Sequence, residues 1–189
     1  DDNKVKGWEK FDFSTGNGYF KEKGGQFTIG MHKPTGQPFF VAATHKAEKF
    51  TVTDGVTVEF RVDLIEANQS NAFAVLSFIP SDTPVSKLSG YSVVKDDTDI
   101  LLAKGLNKYF YDITEGDWLD VPENITLSLT LTGKGSSVEV TTRIYDIEND
   151  NELLFEKTVV DTAKAEDLDT GDDSPAASFI DKPGNFALL

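Results

Sequence analysis

The most constraining feature of this sequence is a two-residue alternation of apolar and polar side chains. Between Val56 and Leu64 every second residue is apolar, and residues 125–132 repeat the pattern with Thr or Ser at the intervening positions. The alternation resumes at Val138, and a third long segment runs from Leu153 to Val160. Because successive side chains of a strand point to opposite faces, this period predicts β-strands with one buried and one solvated face.

Short polar segments separate the three strands that begin at residues 125, 138 and 153. One is Gly133-Lys134-Gly135-Ser136, and the other is the acidic and amide-rich run at 148–152. Gly, Asn and Asp favour tight turns because they tolerate positive φ or hydrogen-bond their own backbone. The sequence therefore predicts an antiparallel meander of three long strands.

Further apolar segments predict additional short strands along the chain. We place them at residues 7–13, 27–32, 39–44, 72–78, 91–95, 100–103, 109–113 and 186–189. Only residues 162–168 have a helix-forming composition, and that segment is too short to be an independent helix. Many short strands separated by turns indicate an all-β protein, and we expect an antiparallel two-sheet β-sandwich.

Length and composition fit one domain that buries its own core. The chain has 189 residues, of which 39% are hydrophobic, including 14 Phe. No low-complexity linker divides it, so we expect residues 1–189 to form one domain, which is also compatible with a place in a larger multidomain protein. The most apolar stretch, residues 72–79, is too short to span a membrane.

Charge and residue usage exclude several classes of function. Lys and Arg number 18 against 32 Asp and Glu, a net charge of −14, which makes nucleic acid an unfavourable partner. The chain has no Cys, which removes disulfides, thiolate metal sites and Cys nucleophiles. Only two His, His32 and His45, are present, and we expect both to be loop residues rather than catalytic bases.

The segments FTVTDGVTVEFRVDLI, NAFAVLSFIP and GYSVVKDDTDILLAKG follow one another between residues 50 and 105. This arrangement resembles the central strands of concanavalin A-like lectin/glucanase domains, particularly the laminin-G-like branch. The resemblance implies a jelly roll of two packed antiparallel sheets in which the first strand, GWEKFDF, neighbours the last, NFALL. It also implies a secreted protein that binds or processes glycans, and we expect a bacterial protein with an extracellular, cell-surface or periplasmic location.

Two enzyme interpretations of this resemblance are weak in the sequence. Glu148-Asn149-Asp150-Asn151-Glu152 matches the E-x-D-x-E letters of the superfamily's glucanases, but its Asn residues and its place between two strands favour a hairpin turn. Tyr19-Phe20-Lys21 is similar to the Y-F-K piece of jelly-roll alginate lyases, whose R-x-E-x-R and Q-[IV]-H motifs are absent. A glycoside hydrolase or lyase that uses other carboxylates, such as Glu59 or Glu139, stays an alternative.

The only two Arg residues, Arg61 and Arg143, lie on the polar faces of long predicted strands. A guanidinium presents a planar set of donors that suits carboxylates and sugar hydroxyls. If these faces form one surface, Glu59 and Tyr145 share it, and the four residues are candidate ligand-binding residues. The alternative is cross-strand salt bridging, for instance between Glu59 and Arg143 or between Arg61 and Glu139.

Aromatic side chains provide the stacking surface that sugar binding commonly uses. Tyr91 begins one predicted strand, and Trp118 lies in the loop-like segment TEGDW. We take both as candidate ligand-binding residues. For Trp118 the alternative is that its indole folds back over an edge of the core.

An acidic segment near the C-terminus is a candidate calcium site. Residues 166–173 place acids at alternate positions around a Gly, and Asp167, Asp169 and Asp172 are the candidate ligands. Ca²⁺ prefers oxygen ligands of this type, although the full twelve-residue calcium loop is not present. The alternative is a solvated acidic loop, and no cofactor is required for the fold.

These observations predict a non-catalytic, secreted domain that binds polysaccharide or another glycan. An enzyme of the same fold is the first alternative. The second is an adhesion domain that binds protein, as laminin-G-like domains also do. Because one fold serves many functions, the choice depends on the surface residues.

Overall fold

The structure is a computed structural model. It describes residues 8–12, 18–23, 26–31, 41–45, 50–52, 54–65, 67–68, 73–80, 90–96, 99–104, 109–112, 120–162 and 183–188. Every regular element in these ranges is a β-strand. Among the same residues, no helix is long and apolar enough to cross a membrane.

Fourteen strands are defined. In chain order they are β1 Trp8–Asp12, β2 Gly18–Lys23, β3 Gln26–Met31, β4 Val41–His45, β5 Phe50–Thr51, β6 Thr57–Leu64, β7 Phe73–Pro80, β8 Tyr91–Asp96, β9 Asp99–Lys104, β10 Tyr109–Asp112, β11 Ile125–Gly133, β12 Ser137–Asp146, β13 Glu152–Thr162 and β14 Pro183–Leu188. The predicted strands all appear with shifted ends, whereas β2 and β5 were not predicted. Thr162, the first residue of the segment with helix-forming composition, ends β13. The rest of that segment, residues 163–168, lies outside the described residues.

The larger sheet has the order β1-β4-β14-β7-β8-β9-β10, with β5 paired to β14. All of these pairings are antiparallel. The expectation that the first strand neighbours the last is wrong, because β4 pairs with both and lies between them. Gly90 precedes β8 at a close approach of two strands, since a Cβ there would lie 1.7 Å from the carbonyl oxygen of Phe78.

The second sheet has four strands in the order β13-β12-β11-β6. Its first three strands form the predicted meander, and β6 adds to the far side of β11. The run at 148–152 is the predicted hairpin turn. Asp150 and Asn151 have φ of 53° and 59°, and the Glu152 amide donates to the Asn149 carbonyl at 2.9 Å. Positive φ at both central residues is typical of a type I′ turn.

The core lies between the two sheets. On β11, Leu127, Leu129 and Leu131 are fully buried, and this strand contacts β7 and β8 of the larger sheet. The Phe186 ring of β14 lies 4.7 Å from the Phe60 ring of β6, measured between centroids. Apolar side chains of both sheets thus pack face to face, which confirms the predicted all-β, antiparallel two-sheet sandwich. The strands β2 and β3 form a separate two-stranded sheet.

Candidate functional site

The outward side of the four-stranded sheet is the surface on which the predicted ligand residues meet. Backbone register aligns four rows across β13, β12, β11 and β6, and we call this surface the polar face. The rows are Leu153–Tyr145–Thr126–Asp63, Glu156–Arg143–Ser128–Arg61, Thr158–Thr141–Thr130–Glu59 and Val160–Glu139–Thr132–Thr57. Strand alternation directs these side chains away from the core, because the intervening residues pack inward.

Glu59 connects the two arginines. Its Oε1 atom lies 3.2 Å from Nη2 of Arg61 and 3.8 Å from Nη1 of Arg143. The Thr130 hydroxyl also donates to this oxygen at 3.4 Å. The expected Glu59–Arg143 pair is therefore present. Arg61 pairs with Glu59 on its own strand. Glu139, which was expected to pair with Arg61, instead has its Oε2 atom 3.3 Å from Nζ of Lys134.

Arg143 lies in the middle of the polar face and is held from both sides. Its Nε donates to Glu156 of the edge strand β13, and its Nη1 donates to the Thr130 hydroxyl at 3.4 Å. Together with the 3.8 Å approach to Glu59, these contacts hold the guanidinium between β13 and β6. Arg143 thereby orders the centre of the polar face.

Arg61 is the more accessible guanidinium. Its central carbon lies 5.2 Å from the centroid of the Tyr145 ring, within the range of a cation–π contact. Hydrogen bonding to Glu59, together with the charge of Glu59, raises the pKa of Arg61, so this group is always charged. The side chain nevertheless exposes 55% of its surface. Arg61 can therefore offer donors to a ligand while Glu59 and Tyr145 hold it in place.

Tyr91 lies apart from the polar face. Its side chain is fully buried between the sheets, and its hydroxyl donates to Oδ2 of Asp161. Lys104 Nζ lies 2.8 Å from the same oxygen. Burial, and next the charge of Asp161, raise the pKa of Tyr91, so the hydroxyl stays protonated. In this position Tyr91 presents no surface to a ligand.

Lys104 and Asp161 were not singled out from the sequence. Lys104 follows an apolar run at the end of a predicted strand, which resembles a solvated strand end. A signal for Asp161 was available, because alternation along β13 places it on the same inward face as Val159 and Phe155. A charged residue in phase with the core positions of a strand indicates a buried polar contact.

Several predicted residues lie outside the described part of the chain. They are Trp118 and the three candidate calcium ligands Asp167, Asp169 and Asp172. Within the described ranges, no group of three or more His, Cys, Asp or Glu side chains could hold a metal ion. The stacking role of Trp118 and the calcium site therefore stay predictions.

The carboxylates of Asp146 and Glu148 accept hydrogen bonds that stabilise the 148–152 turn. Asp146 accepts hydrogen bonds from the Glu148 amide at 2.9 Å and from the Asn149 side chain at 2.6 Å. The Asn124 side chain donates to Glu148 at 2.6 Å. The turn lies at the end of the β12–β13 hairpin and not within a strand. This placement agrees with the turn interpretation of the E-x-D-x-E letters.

Comparisons with known proteins identify the fold. No family model and no curated protein sequence matches the chain. Lectin II from Ulex europaeus superposes with a TM-score of 0.55 at 8% identity, covering 100% of this chain and 87% of the lectin. Arcelin-5, a lectin-like defense protein from Phaseolus vulgaris, gives 0.45 at 11% identity, with 96% of each chain covered. On the first of these superpositions, the chain has a concanavalin A-like fold.

Proposed function

We propose that this protein binds carbohydrate through its polar face and does not act on it chemically. The observation that carries the proposal is the exposed guanidinium of Arg61, held between Glu59 and the Tyr145 ring on a lectin-like sandwich. Fold alone does not establish function, so the argument rests on what these side chains offer.

The polar face has the groups that sugar hydroxyls need. A hydroxyl both donates and accepts hydrogen bonds, and the face presents guanidinium donors, carboxylate acceptors and Thr hydroxyls that do both. The Thr141 and Thr158 hydroxyls lie 2.7 Å apart, and the Thr57 and Thr132 hydroxyls lie 2.9 Å apart. The outward Thr126, Ser128 and Thr130 of β11 are buried, so the accessible groups lie mainly on β6, β12 and β13. This spread suits an extended polysaccharide better than a single small molecule.

The charge of the polar face indicates which glycans would bind. Four carboxylates, those of Glu59, Asp63, Glu139 and Glu156, face two guanidiniums. An acidic polysaccharide would meet a slight excess of like charge and would displace existing ion pairs. We therefore propose a neutral polysaccharide as the ligand.

Four further features belong to the proposal. Trp118 adds a stacking surface for a sugar ring, and Asp167, Asp169 and Asp172 hold a structural Ca²⁺. Residues 1–189 form one domain, free-standing or within a larger multidomain protein. The protein is secreted and acts outside the cell or in the periplasm, where polysaccharides are accessible.

Affinity electrophoresis through gels containing neutral polysaccharides tests the proposal. We expect wild-type protein to be retarded, and Arg61→Ala to reduce the retardation at least 5-fold because the substitution removes the accessible donors. Lys134→Ala is the matched control. Lys134 is an equally exposed cation, with 50% of its side chain exposed, but it lies at a hairpin turn beside the face. Circular dichroism should show that both variants are folded.

Additional arms of this experiment separate the remaining proposals. Trp118→Ala should weaken retardation if the indole stacks on the ligand, and a chelator should weaken it or lower the melting temperature if Ca²⁺ is bound.

Equal retardation of wild type and Arg61→Ala would refute the polar face as the site. Release of reducing sugar by wild type, abolished in Glu59→Gln, would replace binding with hydrolysis. Capture of a protein partner that glycans do not compete would favour adhesion.

A further inference from the structure

Three polar side chains meet in the core between the sheets. Tyr91 on β8 and Lys104 on β9 are directly opposite each other in the register of the larger sheet, so both point to the same face. Asp161 approaches them from β13 of the other sheet. Lys104 exposes 5% of its side chain and Asp161 exposes none. The contact therefore joins the two sheets in a place that water does not reach.

When Lys104 and Asp161 form an ion pair, one oxygen of the Asp161 carboxylate is left without a hydrogen bond. Oδ2 of Asp161 accepts from both Tyr91 and Lys104, whereas Oδ1 is buried and has no donor among the described residues. A buried carboxylate oxygen without a donor lowers the stability of the fold, because this oxygen has lost its hydrogen bonds to water and has formed none within the protein.

We propose that Lys104 and Asp161 condense to form an amide that cross-links β9 to β13. The nitrogen–oxygen contact of 2.8 Å places the amine beside the carboxyl group. Proton transfer within the ion pair gives a neutral amine and a neutral acid, and the amine lone pair attacks the Asp161 carbonyl carbon. Oδ2, which receives the proton from Nζ, leaves as water with two of the three ammonium protons, and the third proton stays on the amide nitrogen. The reaction is balanced and involves no oxidation or reduction.

The surroundings supply what this condensation needs. The folded sandwich holds the two groups together, and such fixed proximity replaces a high concentration of reactant. The Tyr91 hydroxyl donates to Oδ2, the oxygen that leaves, and acts as a positioned acid that assists its departure as water. Burial keeps water from reversing the reaction. The product contains no buried charge.

Intact-mass spectrometry of the folded chain tests this proposal. After folding at neutral pH we expect a mass lower than the sequence mass by one water molecule. A tryptic digest should contain a branched peptide in which residues 96–108, uncleaved at Lys104, are joined to residues 158–164. The exposed Lys134–Glu139 pair, 3.3 Å apart, is an internal control that should stay unmodified, because it lacks both burial and the hydroxyl donor.

Two variants complete the test. Lys104→Arg keeps the charge but cannot condense, so its mass should equal the sequence mass. Tyr91→Phe should form the cross-link at least 100-fold more slowly, because a positioned acid at the leaving oxygen contributes about that factor. The full sequence mass after prolonged incubation of folded wild type would overturn the proposal. Loss of water at any other pair of residues would also overturn it, and an unchanged rate in Tyr91→Phe would overturn the role of Tyr91.

Discussion

Tyr91 and Tyr145 were both predicted to contact a ligand, and the structure gives them different surroundings. Tyr145 lies outward on β12 beneath the Arg61 guanidinium, whereas Tyr91 lies inward on β8 with its hydroxyl bound to Asp161. Alternation within β8 is weak evidence for either face, because every residue from Tyr91 to Lys95 is buried. The strand lies inside the sheet order, and its neighbours cover both of its edges.

Burial of Tyr91 predicts a loss of stability at high pH. Its pKa is raised above 10.0, first by burial and, while Asp161 is ion-paired with Lys104, next by the Asp161 charge. Above that pH the unfolded chain releases the Tyr91 proton while the folded chain keeps it, so the free energy of unfolding falls as pH rises. We expect Tyr91→Phe to show a shallower fall than wild type in urea unfolding between about pH 8 and pH 11. Tyr145→Phe, at a partly exposed site, is the control and should match wild type; an unchanged fall in Tyr91→Phe would contradict the prediction.

At the scale of elements, the long strands with clean alternation were predicted well and the short ones less so. β6 and β11–β13 have a regular period of two, because one side packs on the core and the other forms the polar face. β2 has charged residues at three of its six positions, which hides any period. β5 has only two residues and is a strand through its pairing with β14. Pairing partners, unlike strand positions, are set by contacts distant in sequence.

The β12–β13 turn gives a prediction at this scale. Asn151 has a φ of 59°, a conformation that side chains branched at Cβ disfavour strongly. We expect Asn151→Val to lower the free energy of unfolding by about 1–2 kcal/mol, whereas Asn151→Gly should leave it unchanged or raise it slightly. Chemical unfolding followed by fluorescence measures both values. Equal stability of the Val and Gly variants would show that the turn has another conformation.

At the scale of the molecule, the C-terminal strand completes the larger sheet and reaches across the core. β14 lies between β4 and β7, and its Phe186 ring contacts Phe78 of its own sheet and Phe60 of the other. The centroid distances are 5.8 Å and 4.7 Å. The last strand therefore pairs with β4, from the first quarter of the chain, which makes the fold dependent on contacts of long sequence separation.

Phe186 gives a prediction for the whole sandwich. Phe186→Ala removes an aromatic ring from between the sheets, and we expect it to lower the free energy of unfolding by about 3–5 kcal/mol. Leu153→Ala is the control, because Leu153 is 49% exposed on the outward side of β13. Its effect should stay within about 0.5 kcal/mol. Similar losses in the two variants, measured by urea unfolding, would contradict the packing of Phe186 across the core.

The sequence by itself determined the fold class, the long strands and the face on which the two arginines lie. These follow from local periodicity, because a period of two directs alternate side chains to opposite faces whatever the strand pairs with. Only the tertiary structure decided the order β1-β4-β14, the Glu59 contacts to both arginines and the meeting of Tyr91, Lys104 and Asp161. Those features join residues far apart in the chain, and a local pattern has no information about which distant strand will lie opposite.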